Sequence, residues 1–512
     1  MTETFFEIIS KTLSFEVLTV LPALMIFTMG IVTIIYNKLL SNSITRSFLT
    51  GACIFFSILA ILSQNYILTF VALESLSGVC FLLILISKKV SRRVAISYFV
   101  IHAFAGVLML VYIMMHWSES KTFQITKISN IVSLKEIILL TSLIINTAMF
   151  PFLNWYTKTY SRTDSFSLII LSIITTKTSF FILWKIIPGS GLLFDIGLIT
   201  LLSSMFLALL TKNVIKFLLL ISISSTGFAT MAVSYNGFLI TEGITNAINF
   251  QLVWYMASSA FAIGGFLTLY GFIANQECSS SSFASMKNYF QEYGSSIHFV
   301  IPAIIFGLCV ASFPLTASFF AKGEIIKFFV EEKTFYVILK SVNIVFIIFA
   351  IKLITPVFHS VEFFTLDKRG NKLAIMLYIF VGILMLLNLF YPFFVKTKMS
   401  FFGLSVEFFT FIAYTLIAIA TFFLLDFILK ITNAKYLIEI AVYDFNFFKI
   451  RIFFFFKLLK AKIHILLDSL THKRKDLKEV LVFSKISPSA SIVISICLML
   501  FFFTSNYVLN FI

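Results

Sequence analysis

Residues 168–184 read LIILSIITTKTSFFILW and carry one charge, Lys177. The nearest other charges are Asp164 and Lys185, so they bracket an apolar stretch long enough to cross a hydrocarbon core of about 30 Å as a helix. Comparable runs recur along the chain, near 17–36, 47–63, 66–87, 94–115, 136–154, 165–186, 192–210, 214–235, 247–274, 297–320, 335–357, 372–394, 403–429 and 489–511. Nothing in lipid hydrogen-bonds an exposed backbone, so such runs are helices. The sequence predicts an all-α, polytopic membrane protein with about 14 transmembrane helices.

Composition agrees. Of 512 residues, 60% are hydrophobic and 12% charged, and the mean hydropathy is +1.02, which leaves no soluble domain of any size. The opening MTETFFEIISK has Glu3 and Glu7 but no basic n-region or small-residue cleavage site, so no removable signal peptide is expected. Five cysteines stand without a CxxC spacing, which suggests neither disulfides nor an iron–sulfur cluster. The net charge of +16 sits in short connections beside anionic headgroups, so the expected partner is the lipid bilayer and not nucleic acid. Alternate connections holding Lys38, Arg46, KKVSRR (88–93), Lys158, Arg162, Lys368, Arg369 and Lys372 are the richer in cations. By the positive-inside rule they face the cytoplasm, which puts a multi-pass chain in the cell inner membrane with its N-terminus outside.

Residues 431–485 depart from this pattern, with eleven Lys/Arg and five Asp/Glu interleaved with apolar groups. They read as a basic amphipathic helix lying along the membrane, ahead of a final span in 486–512. The organisation is then a span and connector (1–46), two halves (47–235 and 236–430), the lateral helix and the last span.

The informative residues are ionisable groups far from a helix end, because a charge at bilayer depth costs about 3 kcal/mol even on insertion scales and marks function by default. Glu74 is the sole charge between Arg46 and Lys88, Lys177 between Asp164 and Lys185, and Lys352 between Lys340 and Glu362. Lys177 lies about 20 Å and about 12 Å along a helix from its flanking charges, farther than a lysine snorkels. Pro356, four residues after Lys352, removes the backbone bond to that residue's carbonyl and predicts a helix break at the charge. One carboxylate and two lysines at depth suit a proton relay, since moving a carboxylate near a buried lysine loads or unloads its proton. No phosphate loop, metal-ligand spacing or nucleophile motif accompanies them.

From about residue 47 to 360 the chain resembles the antiporter-like subunits shared by respiratory complex I (NADH:quinone oxidoreductase) and the multisubunit Mrp-type antiporters. FVALESLSGVC is similar to the family span with an essential glutamate, here Glu74. MFPFLNWYTKTYSRTDSFSLIILSIITTKTSFFILWKI is similar to the loop and broken helix with the pumping lysine, here Lys177. VASFPLTASFFAKGEIIKFF, with Pro314 as an expected helix break, resembles the segment leading to a further lysine, here Lys322, and FAIKLITPVFHSVEFF resembles a second broken helix ending the relay at Lys352. The resemblance implies two inverted five-helix repeats, each with one broken helix.

LLTKNVIKFLLLISISSTGF (209–228) departs from the family pattern, with Asn213, Ile215, Leu220 and Ser225 where the family has aspartate, lysine, tyrosine and histidine. Lys216, one position on, stands either as a substitute or as a surface lysine. The lysine at 352 is closer to the D-type paralogue of the Mrp antiporters; the amphipathic stretch and last span are closer to the largest complex I paralogue. The resemblance therefore implies H⁺ translocation exchanged for Na⁺ or K⁺ beside other membrane subunits, with complex I pumping as the alternative. It implies no catalytic centre, NADH or flavin in this chain. A degenerate scaffold with a broken relay is the other class.

Overall fold

The computed structural model describes residues 16–394, apart from 88–89, 130, 237–241, 277–280, 294–295, 315, 328, 330–332 and 358–367, together with 13, 413–414 and 416–417. The expected lateral helix (431–485) and final span lie outside the described residues, as does nearly all of the span at 403–429.

Among the described residues fifteen helices follow in order: α1 Val17–Leu40, α2 Ile44–Leu62, α3 Tyr66–Ile86, α4 Arg92–Ser120, α5 Leu134–Thr147, α6 Leu153–Tyr160, α7 Ser165–Ile186, α8 Gly191–Leu210, α9 Val214–Asn236, α10 Glu242–Gln276, α11 Phe283–Tyr293, α12 Ile297–Val310, α13 Ala317–Lys327, α14 Lys333–Ile354 and α15 Lys368–Phe394. Among the described residues ten are long and apolar enough to cross a membrane. The chain is an all-α polytopic membrane protein, and twelve expected spans fall on these helices.

Local chemistry sets the helix starts. Ser43, Asn65, Asp164 and Ser190 accept from backbone N–H groups of the first turns of α2, α3, α7 and α8, and Ser133 with Glu136 forms a reciprocal capping box on α5. Asp164 also pairs with Arg46 at 2.5 Å, and its backbone N–H donates to Ser87 Oγ at 2.8 Å. Asp164 thus ties the start of α7 to the start of α2 through its carboxylate and to the end of α3 through its backbone N–H.

Three spans, in α7, α9 and α10, are wholly enclosed by protein, while the others leave one apolar face outward for lipid. Among the latter, α8 packs tightly on α9 through glycine. A Cβ on Gly197 would lie 2.7 Å from Met231 N, and one on Gly227 2.7 Å from Leu201 N. Small residues at such crossings let backbones touch. Gly227→Ile is therefore expected to force α8 from α9 and cut the assembled complex in membranes at least several-fold, which immunoblotting of native gels would read.

The helices are interrupted at three points, and one expected break is absent. The α7 span is continuous but carries a π-helical turn, Ile170–Thr175, directly before Thr176 and Lys177. Hydroxyls explain it: Thr175 donates to Leu171 O (2.6 Å), Thr176 to Ser172 O (2.7 Å) and Thr178 to Ile174 O (2.7 Å), a pattern of back-bonding that loosens a helix. The second interruption falls between α12 and α13, where Ser312 has a φ of 52° and Pro314 follows. The span 335–357, expected to break at Lys352, instead runs as regular helix through it to Ile354, and Pro356 sits in the turn beyond. A third break divides the expected span at 136–154, with Ala148 (φ 57°) closing α5 and Pro151 preceding α6.

Candidate functional site

Lys177 is 0% exposed. Its Nζ donates to three oxygens of α9: Ser222 O at 3.0 Å, Ser225 Oγ at 3.3 Å and Thr226 Oγ1 at 2.8 Å. Ser225 and Thr226 in turn donate to Ser222 O. Ser225 is the residue that stands where the family has histidine, and it holds the lysine directly. All three partners are neutral. As they stand all three accept from an ammonium, and either hydroxyl, by turning from Ser222 O to Nζ, donates to a neutral amine, so the nest serves Lys177 in either protonation state, where a carboxylate would fix it as a cation.

The second deep charge is Lys322 on α13, 2% exposed. Its Nζ has no hydrogen-bond partner among the described residues and lies over the rings of Phe346 (4.2 Å) and Phe228 (5.4 Å). It lines a cavity of about 180 Å³ together with Asn343, Tyr336, Lys340 and Glu324. Asn343 Oδ1 is also unpartnered among the described residues. A bare donor and a bare acceptor in one polar cavity are the setting in which buried water is held. Because Phe228 follows Thr226 by two residues, α9 carries the nest of Lys177 and one wall of Lys322 within two turns, on different sides of the helix.

Sequence placed Lys322 by resemblance alone, because Glu324 and Lys327 follow so closely that the segment reads as interfacial. The signal was the Ser312 to Pro314 interruption, which lets α13 restart inside the protein. Glu324 and Lys327 pair with each other at 2.7 Å.

Glu74, on α3, is half-buried. Its carboxylate rests on Gly106 of α4, where an added Cβ would lie 2.1 Å from Oε1. Among the described residues no ion pair joins Glu74 to Lys177, so the direct approach of the two that a simple relay requires is absent. The contact with Gly106 gives a test: Gly106→Val is expected to push the carboxylate aside and lower transport at least several-fold at unchanged complex levels.

Lys352 is half-buried in the last turn of α14. It donates to Leu209 O (3.4 Å) and Thr211 O (3.2 Å) at the end of α8, and lies over Phe217 (4.6 Å) and Phe283 (4.9 Å). Lys216 is half-buried in the first turn of α9, its backbone N–H capped by Asn213 Oδ1 at 2.9 Å. Asparagine caps as well as aspartate, which accounts for the change at that position. Ile215 and Leu220 are buried.

The fold and site together define an integral membrane protein with ionisable side chains embedded in a fully enclosed helix core. Residues 63–347 match the sequence profile of the NADH:quinone oxidoreductase/Mrp antiporter transmembrane family, and the chain belongs to that family. Solved structures of similar fold include three from multisubunit membrane complexes. A chain of respiratory complex I from Thermus thermophilus, solved with bound aureothin, has a TM-score of 0.60 at 17% identity over 73% of this chain and 84% of that one. A chain of the membrane-bound sulfane sulfur reductase, an archaeal respiratory membrane complex, gives 0.58 at 16% identity over 74% of this chain and 65% of that one. A chain of the Mrp complex from Dietzia sp. DQ12-45-1b gives 0.62 at 13% identity over 82% of this chain and 49%, about half, of its own length. A search of curated proteins gave no match.

Proposed function

We propose that this chain translocates protons as a D-type member of a multisubunit Mrp antiporter, exchanging H⁺ for Na⁺ or K⁺ in the cell inner membrane beside other membrane subunits. The observation that carries the reading is the Lys177 nest. A lysine fully enclosed in the membrane, held only by groups that suit both its protonated and its neutral form, is fitted to gain and lose a proton. Glu74 supplies a carboxylate on one side of the helix core and Lys322 a second buried amine on the other. Lys352 and Lys216, each at a helix end, suit a mouth of the path better than its middle.

No step requires NADH or a flavin on this chain. Redox-driven pumping as a complex I subunit is the second reading, favoured by the fuller coverage of the Thermus chain. Inverted membrane vesicles separate the two. Collapse of a preset pH gradient on adding Na⁺ or K⁺ supports antiport; acidification driven by NADH without cation dependence supports pumping; neither response sinks both and leaves a scaffold.

A further inference from the structure

His102, on α4, is 7% exposed. Its Nδ1 lies 2.8 Å from Asn146 Oδ1, and its Nε2 is buried with no partner among the described residues. With Nδ1–H donating to the amide oxygen, Nε2 keeps its lone pair and is open to a proton.

Its position is the second observation. Gly106, on which the Glu74 carboxylate rests, is four residues further along α4 and on the same face, about 6 Å away. On the other side the His102 ring meets Tyr98 (4.2 Å between ring centres) and Trp155 (4.7 Å). Tyr98 is followed by Tyr160 (6.1 Å) and Tyr156 (4.8 Å beyond it). The Tyr160 hydroxyl lies 3.4 Å from Thr175 Oγ1. The Tyr156 hydroxyl donates to Ser172 O at 3.3 Å and stands beside Ser222 and Thr176. Ser222 O in turn receives Lys177. Buried tyrosine rings and their hydroxyls therefore line the region between His102 and the lysine nest.

We propose that His102 is a proton-carrying residue between Glu74 and Lys177, taking a proton on Nε2 from the glutamate side through water and passing it toward Lys177 through water beside the tyrosine hydroxyls. This rests on the relay proposed above. It accounts for the separation of Glu74 from Lys177. The proton is the only species transferred.

The test measures cation-dependent collapse of a pH gradient in inverted vesicles containing the whole complex, as wild type, Lys177→Ala, His102→Gln and Asn146→Asp. His102→Gln keeps an amide near Asn146 but cannot titrate; a fall of about ten-fold or more at wild-type complex levels is expected. Wild-type rates in His102→Gln alongside a dead Lys177→Ala would overturn this inference alone. An active Lys177→Ala would overturn the relay and this inference with it.

If His102→Gln fails to assemble, Asn146→Asp decides. The titratable group in contact with the imidazole is Tyr98, with Tyr160 and Cys80 beyond it and Glu74 one turn along. A carboxylate added on Nδ1 favours imidazolium, so the pH midpoint for transport is expected to rise by about one unit or more. An unmoved profile would overturn the proposal.

Discussion

Lys177→Met is expected to bring cation-coupled proton transport down to the background of vesicles lacking the complex, while leaving the folded chain at least as stable as the wild type. The two effects have one cause. Lys177 has no anionic partner among the described residues, so the protein bears the desolvation of a buried amine without a compensating ion pair. Replacing buried charge by a well-packed apolar side chain of similar volume is often neutral or stabilising, by up to about 4 kcal/mol. Methionine fills the same space, and Ser225 and Thr226 keep their bonds to Ser222 O, so no polar group is orphaned. Thermal unfolding of the purified complex, followed by tryptophan fluorescence, reads stability. A large loss there would mean that Lys177 is a structural strut.

The second large effect is expected at Lys322. Lys322→Met should lower transport by at least about ten-fold, since it removes the buried amine of the second half while its aromatic walls, Phe228 and Phe346, still pack. Lys352→Met should retain a substantial fraction of the wild-type rate, because that ammonium sits at a helix end on two carbonyls. Initial rates of cation-driven gradient collapse at matched complex levels compare the two. Equal and complete losses would extend the path through Lys352; loss at Lys352 alone would return the terminal role to it.

What was legible in sequence follows from what hydropathy registers. The apolar runs gave the helices, and Lys177 stood out because nothing charged lies near it along the chain. Lys322 was masked by Glu324 and Lys327, and its burial depends on a break set by backbone conformation at Ser312, which composition does not report. Lys352 read as deep because the end of α14 was placed three residues late. His102 escaped notice because one imidazole hardly alters the hydropathy of a 29-residue helix, and because its partners Asn146 and Trp155 come from α5 and α6, far along the chain. The π turn was written in the hydroxyl run of 172–179, yet only the bonds made by Thr175, Thr176 and Thr178 show which way it resolves.

The most direct test of a lysine relay is the rate at which added Na⁺ or K⁺ collapses a pH gradient in inverted vesicles, wild type beside Lys177→Ala, at equal amounts of assembled complex. A working relay gives a cation-dependent rate in the wild type and none above background in the variant. A variant that matches the wild type would contradict it.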